Sequence, residues 1–359
     1  MKKFTNLVIF IFVFVFLFTC CKIKGSDEYT EPIIQGSWPY YSSPGEAGWD
    51  ADRLEAAKSY FSSLNSAAVI VVYRGKVLVA WGYVYEKYLT HSARKSFMSA
   101  LYGIYVHEGQ IDLQETMAQL NIDDVPPLTE LEKSARVIHL LAARSGVYHT
   151  AAAETESMHQ YKPPRGTYLP GTFWCYNNWD FNALGTIFIQ ETGMDIFQAL
   201  KQRIADEIGM EDFIIDDGFY YYQYDRSIHP AYHFQMSARD SARFGLLFLQ
   251  NGRWEGRQII PTEWIEESTR PWSDSGDYIP GTFYGYLWWV FPLGYGEEDG
   301  LLYLSQYQSY AALGAYGQVI QVIPDADLVF VHRVDSYNNM NVNLGDIYRL
   351  LDMILAAKP

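Results

Sequence analysis

Three short stretches of this chain hold residue types whose spacing could break an acyl bond. The first is Ser92-Ala93-Arg94-Lys95. If a helix begins here, Ser92 and Lys95 lie three apart and share a face. The serine then sits at the helix N-terminus, where free N–H groups and the dipole favour developing negative charge. A hydroxyl is a weak nucleophile near neutral pH and needs a base. A desolvated lysine can serve, because burial lowers an amine's pKa. The spacing alone is weak evidence, since a solvated helix start can look the same. Its surroundings sharpen it: the following residues are apolar at Phe97, Leu101 and Ile104, which describes a buried helix. Ser96 and Ser99 share that helix but have no lysine three residues on.

The second stretch is Tyr176-Asn177-Asn178, on a loop from Pro170 to Trp179. A tyrosine can act as acid or base when a nearby cation lowers its pKa. Asn178 both donates and accepts, which suits it to hold a lysine ammonium and a substrate carbonyl. A turn that caps the next helix would read similarly. Tyr337-Asn338-Asn339 is a comparable triplet and is expected to be only a turn. The third stretch is Gly314-Ala315-Tyr316-Gly317-Gln318, leading into an edge strand. Glycines there let backbone approach a ligand closely, so an N–H could point at an oxyanion.

Other candidates carry less. His229 and His233 are four apart, but Pro230 lies between them and no HExxH glutamate accompanies them, so no metal site is expected. His91 is expected in ordinary packing and Cys175 as a small core residue. Tyr220, Tyr221 and Tyr222 could line a cleft or simply pack. The chemistry needs no metal and no organic cofactor.

Several elements could position these residues. Asp50 can cap a helix whose apolar positions Leu54, Ala57, Phe61 and Leu64 recur at helical spacing. Ala68 to Tyr73 and Lys76 to Trp81 are β-branched runs joined by Arg74-Gly75, a two-residue hairpin. Phe97 to His107 closes at Gly109, and Asn182 to Glu191 at Gly193. Gln318 to Ile323 and Leu328 to His332 are further strands, and Leu344 to Ala357 is a final helix. Strands at both ends and helices between them predict a mixed α/β (α+β) fold. Its antiparallel sheet, from residues 46–90 and 291–359, would carry the terminal helices. Residues 91–290 would form an all-helical lobe, with a cleft between the two.

Composition narrows the partners. The 359 residues are 49% hydrophobic, as in a folded globular protein. A net charge of −15, from 27 basic and 42 acidic residues, argues against nucleic acid. Three cysteines are too few for a disulfide scaffold or a thiolate metal site. At the start, Lys2 and Lys3 precede an apolar run from Leu7 to Phe18, too short to span a bilayer. It ends in Leu17-Phe18-Thr19-Cys20-Cys21 and resembles a bacterial lipoprotein signal. Residues 1–20 are then the signal, with Cys20 or its neighbour Cys21 lipidated; Cys20 is the assignment made here. Residues 21–45 read as a tether and 46–359 as the folded domain. The expectation is an extracytoplasmic protein that meets the membrane only through an N-terminal lipid.

Taken together and in this order, the three stretches resemble the serine β-lactamase/penicillin-binding-protein superfamily. The likeness is to the branch of class C β-lactamases, related esterases and 6-aminohexanoate-dimer hydrolases. Ser92-x-x-Lys95 matches the first motif and Tyr176-x-Asn178 the second. The segments HSARKSFMSALYGI (91–104), EGQIDL (108–113), HLLAARSG (139–146), PGTFWCYNNWDFNAL (170–184), MSARDSARFGLL (236–247) and YGYLWW (284–289) look like the same branch. The resemblance implies a β-lactamase/transpeptidase-like fold, with the site between a sheet lobe and an all-helical lobe. It implies a serine hydrolase working through an acyl-enzyme on a small or peptide-like ester or amide. Ser92 would be the nucleophile, and Lys95 and Tyr176 would share the proton transfers. Asn178 would position Lys95 and substrate, and N–H groups of Ser92 and Ala315, flanked by Gly314 and Gly317, would hold the oxyanion. One motif departs: the Lys/His-Thr/Ser-Gly triplet is absent, and Gly-Ala-Tyr-Gly-Gln stands in its place, as in the oligomer-hydrolase branch. That weakens a penicillin-binding carboxypeptidase or β-lactamase assignment. A silent binding module of the same fold is the remaining alternative.

Overall fold

The computed structural model describes residues 38–359. The expected signal segment with Cys20 and Cys21, and the tether up to residue 37, lie outside the described residues. The sequence AVIVVY forms β1 (Ala68–Tyr73), buried at every position. A strand apolar on both faces must run through the middle of a covered sheet. It turns at Arg74 and Gly75, whose φ angles of 50° and 75° are both left-handed, into β2 (Lys76–Gly82). Two positive φ values match the twist of a tight hairpin, as the Arg-Gly pair suggests.

The sheet is completed by β3 (Ser273–Asp274), β4 (Phe283–Tyr284), β5 (Trp289–Phe291), β6 (Ser309–Gly314), β7 (Gln318–Ile323) and β8 (Leu328–Arg333). Its spatial order is β2-β1-β8-β7-β6-β5-β4-β3, and every neighbouring pair is antiparallel. An early strand and a late one, β1 and β8, pair at its second and third positions, where Ala68 lies opposite Arg333 and Tyr73 opposite Leu328.

Among the described residues, five long helices accompany the sheet: α1 (Ala51–Ser63), α2 (Arg94–His107), α3 (Asn178–Thr192), α4 (Ala238–Leu249) and α5 (Leu344–Leu355). Successive strand residues face opposite ways, and β7 shows which helix covers which face. Ile320 and its neighbour Val329 meet α4 at Gly245, where a Cβ would come within 2.5 Å of Val329. Gln321 faces the other way and accepts from Tyr348 of α5 at 3.1 Å. Helix α1 packs beside α5, its Asp50 side chain capping the first turn as the sequence predicts. Helix α2 is buried from Arg94 through Tyr105 and is therefore apolar nearly all round.

Three differences from the sequence-based expectation have physical causes. Residues 38–45 pack on the sheet rather than serving as a tether: Trp38 is only 6% exposed, and its indole donates to the Gly75 carbonyl at 3.0 Å. Residues 91–290 are not wholly helical. They supply β3, β4 and most of β5 of the main sheet, and Ala231–Met236 and Gly218–Tyr221, which join Tyr88–Leu89 in a second, three-stranded sheet. Most of these strands span two to four residues, too short for a period of two to register. Third, β7 is an interior strand between β8 and β6, not an edge. Its partner β6, SYAALG, is rich in small residues and gives no strand signal of its own.

Candidate active site

Ser92 lies in a single 3-10 turn, His91–Ala93, that runs straight into α2. His91 before it has a φ of 48°, a left-handed conformation rare for a residue with a Cβ. The histidine is held there by contacts leading away from Lys95: its Nε2 bonds to Ser336 Oγ at 2.8 Å and its ring packs on Tyr316 at 4.9 Å. Burial pushes its pKa down to about 4, so the ring is neutral at physiological pH.

Lys95 bridges the first two stretches. Its Nζ donates to Ser92 Oγ at 2.8 Å and to the Tyr176 hydroxyl at 2.9 Å. Lys95 is 1% exposed and Tyr176 4%. Tyr176 sits just ahead of α3, which Asn177 caps by accepting from the Trp179 N–H. Its ring is boxed by Phe181, Tyr278, Trp289 and Tyr284, at centroid distances of 5.0, 5.1, 5.3 and 5.8 Å.

Electrostatics set the protonation of this pair. Burial first, and the neighbouring Arg94 charge second, hold the Lys95 amine well below its usual pKa. The rings of Tyr176 and Phe181, each 4.7 Å from Nζ, would favour an ammonium. Such contacts are worth roughly 0.5–2 kcal/mol, against several for burying a charge with no counter-ion. Burial therefore outweighs the rings and favours the neutral amine. Burial likewise raises the Tyr176 phenol, which keeps its proton. A neutral amine can accept the serine proton, and a protonated phenol can give one up.

Arg94 itself is unusual. It is 2% exposed, donates to the His91 carbonyl at 3.1 Å and lies over the Tyr232 ring at 5.2 Å. Its Nε and Nη2 are buried without hydrogen-bond partners. It also helps depress His233 to about 2, after burial.

Asn178 lies elsewhere than expected. Its Nδ2 donates to the Ala153 carbonyl at 2.6 Å, tying down the loop before Thr155, and its Oδ1 is buried without a partner. The expected bond to Lys95 is not formed; Tyr176 and Ser92 occupy that ammonium-binding position instead. Gly314, at the end of β6, passes so close to the Ser92 turn that a Cβ would lie 2.3 Å from the Thr90 carbonyl oxygen. Gly317 has a φ of 100°. Ladder pairing between β5 and β6 ends at Trp289 opposite Ala311, so no β5 residue pairs with the backbone that follows Ala311. Leu313, Gly314, Ala315 and Gly317 line a cavity of about 320 Å³ with Ser92 and Tyr176. Ser96 and Ser99 are buried away from it; Ser96 donates to the Leu287 carbonyl at 2.7 Å.

Sequence reasoning missed much of the cavity wall. Tyr278, Thr155 and Asn341 come from loops with no motif and Ser157 from the short helix Glu156–Tyr161, and Trp289 lay in the YGYLWW segment without an assigned role. A second cavity of about 510 Å³ adjoins across Tyr176 and Tyr278, walled by Trp174 and Trp272. The Tyr220–Tyr222 run lines neither. His229 bonds to the Asp123 carbonyl and Thr186, at 2.9 Å each.

The profile of the beta-lactamase family matches residues 51–342. The chain belongs to the beta-lactamase family. Solved structures of this family's fold agree. A Bacillus anthracis protein provisionally named a 6-aminohexanoate-dimer hydrolase superposes with a TM-score of 0.61 at 22% identity, covering 83% of this chain and 80% of that one. A class C beta-lactamase gives 0.62 at 14%, covering 86% and 96%. The octameric penicillin-binding protein homologue of Pyrococcus abyssi gives 0.61 at 15%, covering 86% and 78%. No curated protein matches the chain. At these identities the likeness establishes the fold, and family membership establishes a hydrolase-type protein.

Proposed function

We propose that the protein is a serine hydrolase that cleaves an ester or amide through an acyl-enzyme. The observation that carries this is the chain of contacts from Ser92 Oγ through Lys95 Nζ to the Tyr176 hydroxyl, 2.8 and 2.9 Å. Neutral Lys95 takes the Ser92 proton as Oγ bonds to the substrate carbonyl carbon. The carbonyl π pair moves onto oxygen, where backbone N–H groups of Ser92 and the Gly314–Ala315 segment stabilise it. Collapse expels the alcohol or amine, which takes a proton from Tyr176, and Tyr176 is reprotonated by the Lys95 ammonium. Water then attacks the acyl-serine through the same relay and restores Ser92. Asn178 contributes by fixing the loop that leads through Thr155 into the short helix carrying Ser157.

Turnover of 4-nitrophenyl butyrate tests this reading. Loss of the nucleophile from a cooperating set costs about 10⁶-fold, so Ser92→Ala should reduce kcat to background while melting like the parent. Retained turnover in Ser92→Ala would reject it. The N-terminal pattern further supports an extracytoplasmic protein held by a lipid on Cys20. If Cys20→Ala leaves the protein as membrane-bound as the parent in a bacterial host, that placement fails.

A further inference from the structure

We infer that the acyl-transfer cavity is specific for uncharged substrates: neutral esters or amides bind, and those carrying a carboxylate near the scissile carbonyl are rejected. This rests on the serine hydrolase reading above and adds a substrate class to it. None of the residues lining the Ser92 cavity carries a charge. Its wall offers hydroxyls (Thr155, Ser157, Tyr278), side-chain amides (Asn341, Asn343) and apolar surface. A 320 Å³ cavity of mixed apolar and hydroxyl character is of the size that takes a small-molecule substrate.

The nearby cations are not available to an anion in that cavity. Lys95 and Arg94 are 1% and 2% exposed, and Lys95's donors point to Ser92 and Tyr176. Lys162 follows the short helix that carries Ser157 and Met158, but it is ion-paired with buried Glu154 and donates to the His149 carbonyl at 2.7 Å. His91 is uncharged and committed to Ser336. A carboxylate entering the cavity would thus lose hydration without gaining a cationic partner, and the neutral hydroxyl and amide donors on the wall offset that loss only in part. The whole chain adds to this, since a net charge of −15 disfavours the approach of anions.

The test is a matched pair of substrates, 4-nitrophenyl butyrate and the mono-4-nitrophenyl ester of succinic acid. They differ by a terminal carboxylate on an acyl chain of equal length. The expected kcat/KM ratio favours the butyrate by about 100-fold or more at low salt. Asn341→Lys places a cation on the cavity wall at an exposed position and should narrow that ratio by about tenfold. A parent ratio below about threefold, or a ratio that Asn341→Lys leaves unchanged, would overturn the inference. Labelling by a neutral fluorophosphonate separates this from failure of the hydrolase reading. If Ser92 is labelled and the succinyl ester is the better substrate, only the charge selectivity is wrong. If Ser92 is not labelled and neither ester turns over, the hydrolase reading itself has failed.

Discussion

At the residue scale, the proposed mechanism depends on a lysine whose pKa the fold lowers. A base must be unprotonated to act, so kcat/KM should rise with pH through the Lys95 pKa and then level. Burial and the Arg94 charge both lower that pKa. No carboxylate opposes them: Lys95 meets Ser92, Tyr176 and Phe181, and the other titratable groups coupled to Arg94 and Lys95 are His91, His233, Tyr176 and Tyr232. Removing the like charge in Arg94→Met should let the Lys95 pKa climb. The acidic limb of the pH–rate profile then moves to higher pH, with activity lost on its acid side and regained at more alkaline pH. A uniform loss at every pH would assign Arg94 a packing role alone. Lys95→Met should lower kcat by about 10²–10⁴-fold, the usual worth of a positioned base. It should also raise the melting temperature at pH 7. The sign follows from linkage: with a lowered folded pKa, the unfolded chain binds more protons, so stability rises with pH and neutral pH carries a penalty. Removing the amine removes that penalty, and a calorimetric scan of both proteins at pH 7 reads it directly. Of these residues, Ser92 and Lys95 stood out in the sequence because their spacing puts them on a shared face of a helix, and Tyr176 because it opens the Tyr176-Asn177-Asn178 stretch. The burial of Arg94 did not, since a charged residue in a first helical turn normally reads as solvated.

At the element scale, the end of β6 is pressed against the Ser92 turn. The glycine pair around Ala315 stood out in the sequence, but its reason did not. Gly314 is required by the Thr90 carbonyl 2.3 Å from where a Cβ would stand, a contact between segments more than two hundred residues apart. Backbone cannot rotate away as a side chain can. Gly314→Ala should therefore shift β6 from the nucleophile, and a displacement near 1 Å costs about 10²-fold in rate. Overpacking of this kind costs about 1–3 kcal/mol in stability. Measured kcat should fall far more than the melting temperature implies; parallel losses would mean that Gly314 only packs. Helices α1, α2, α3 and α5 and strands β1, β2, β7 and β8 were all visible as periodic runs. The short strands β3 to β5 were not, because pairing partners distant in sequence, rather than local pattern, make them strands.

At the scale of the whole molecule, the sheet closes the chain on itself, and the site lies where β6, the turn before α2 and the loop before α3 converge. The folded body begins earlier than composition suggests. Trp38 is buried against the Gly75 turn and under the Arg243 guanidinium, 4.9 Å from its ring. A protein beginning at Trp38 is the reference for this segment. One beginning at Glu46 should lose about 3–5 kcal/mol, the usual cost of deleting a buried tryptophan side chain, as read by denaturant unfolding. Equal stability of the two would show that residues 38–45 rest on the surface without supporting it. The proposal as a whole stands on one atom, Ser92 Oγ, and covalent trapping examines it directly. A fluorophosphonate should add one phosphonyl group to the intact protein, mapped by peptide mass to Ser92. Ser92→Ala should remain unlabelled with an unchanged melting curve. Labelling at Ser96 or Ser99, or undiminished labelling of Ser92→Ala, would contradict the assignment.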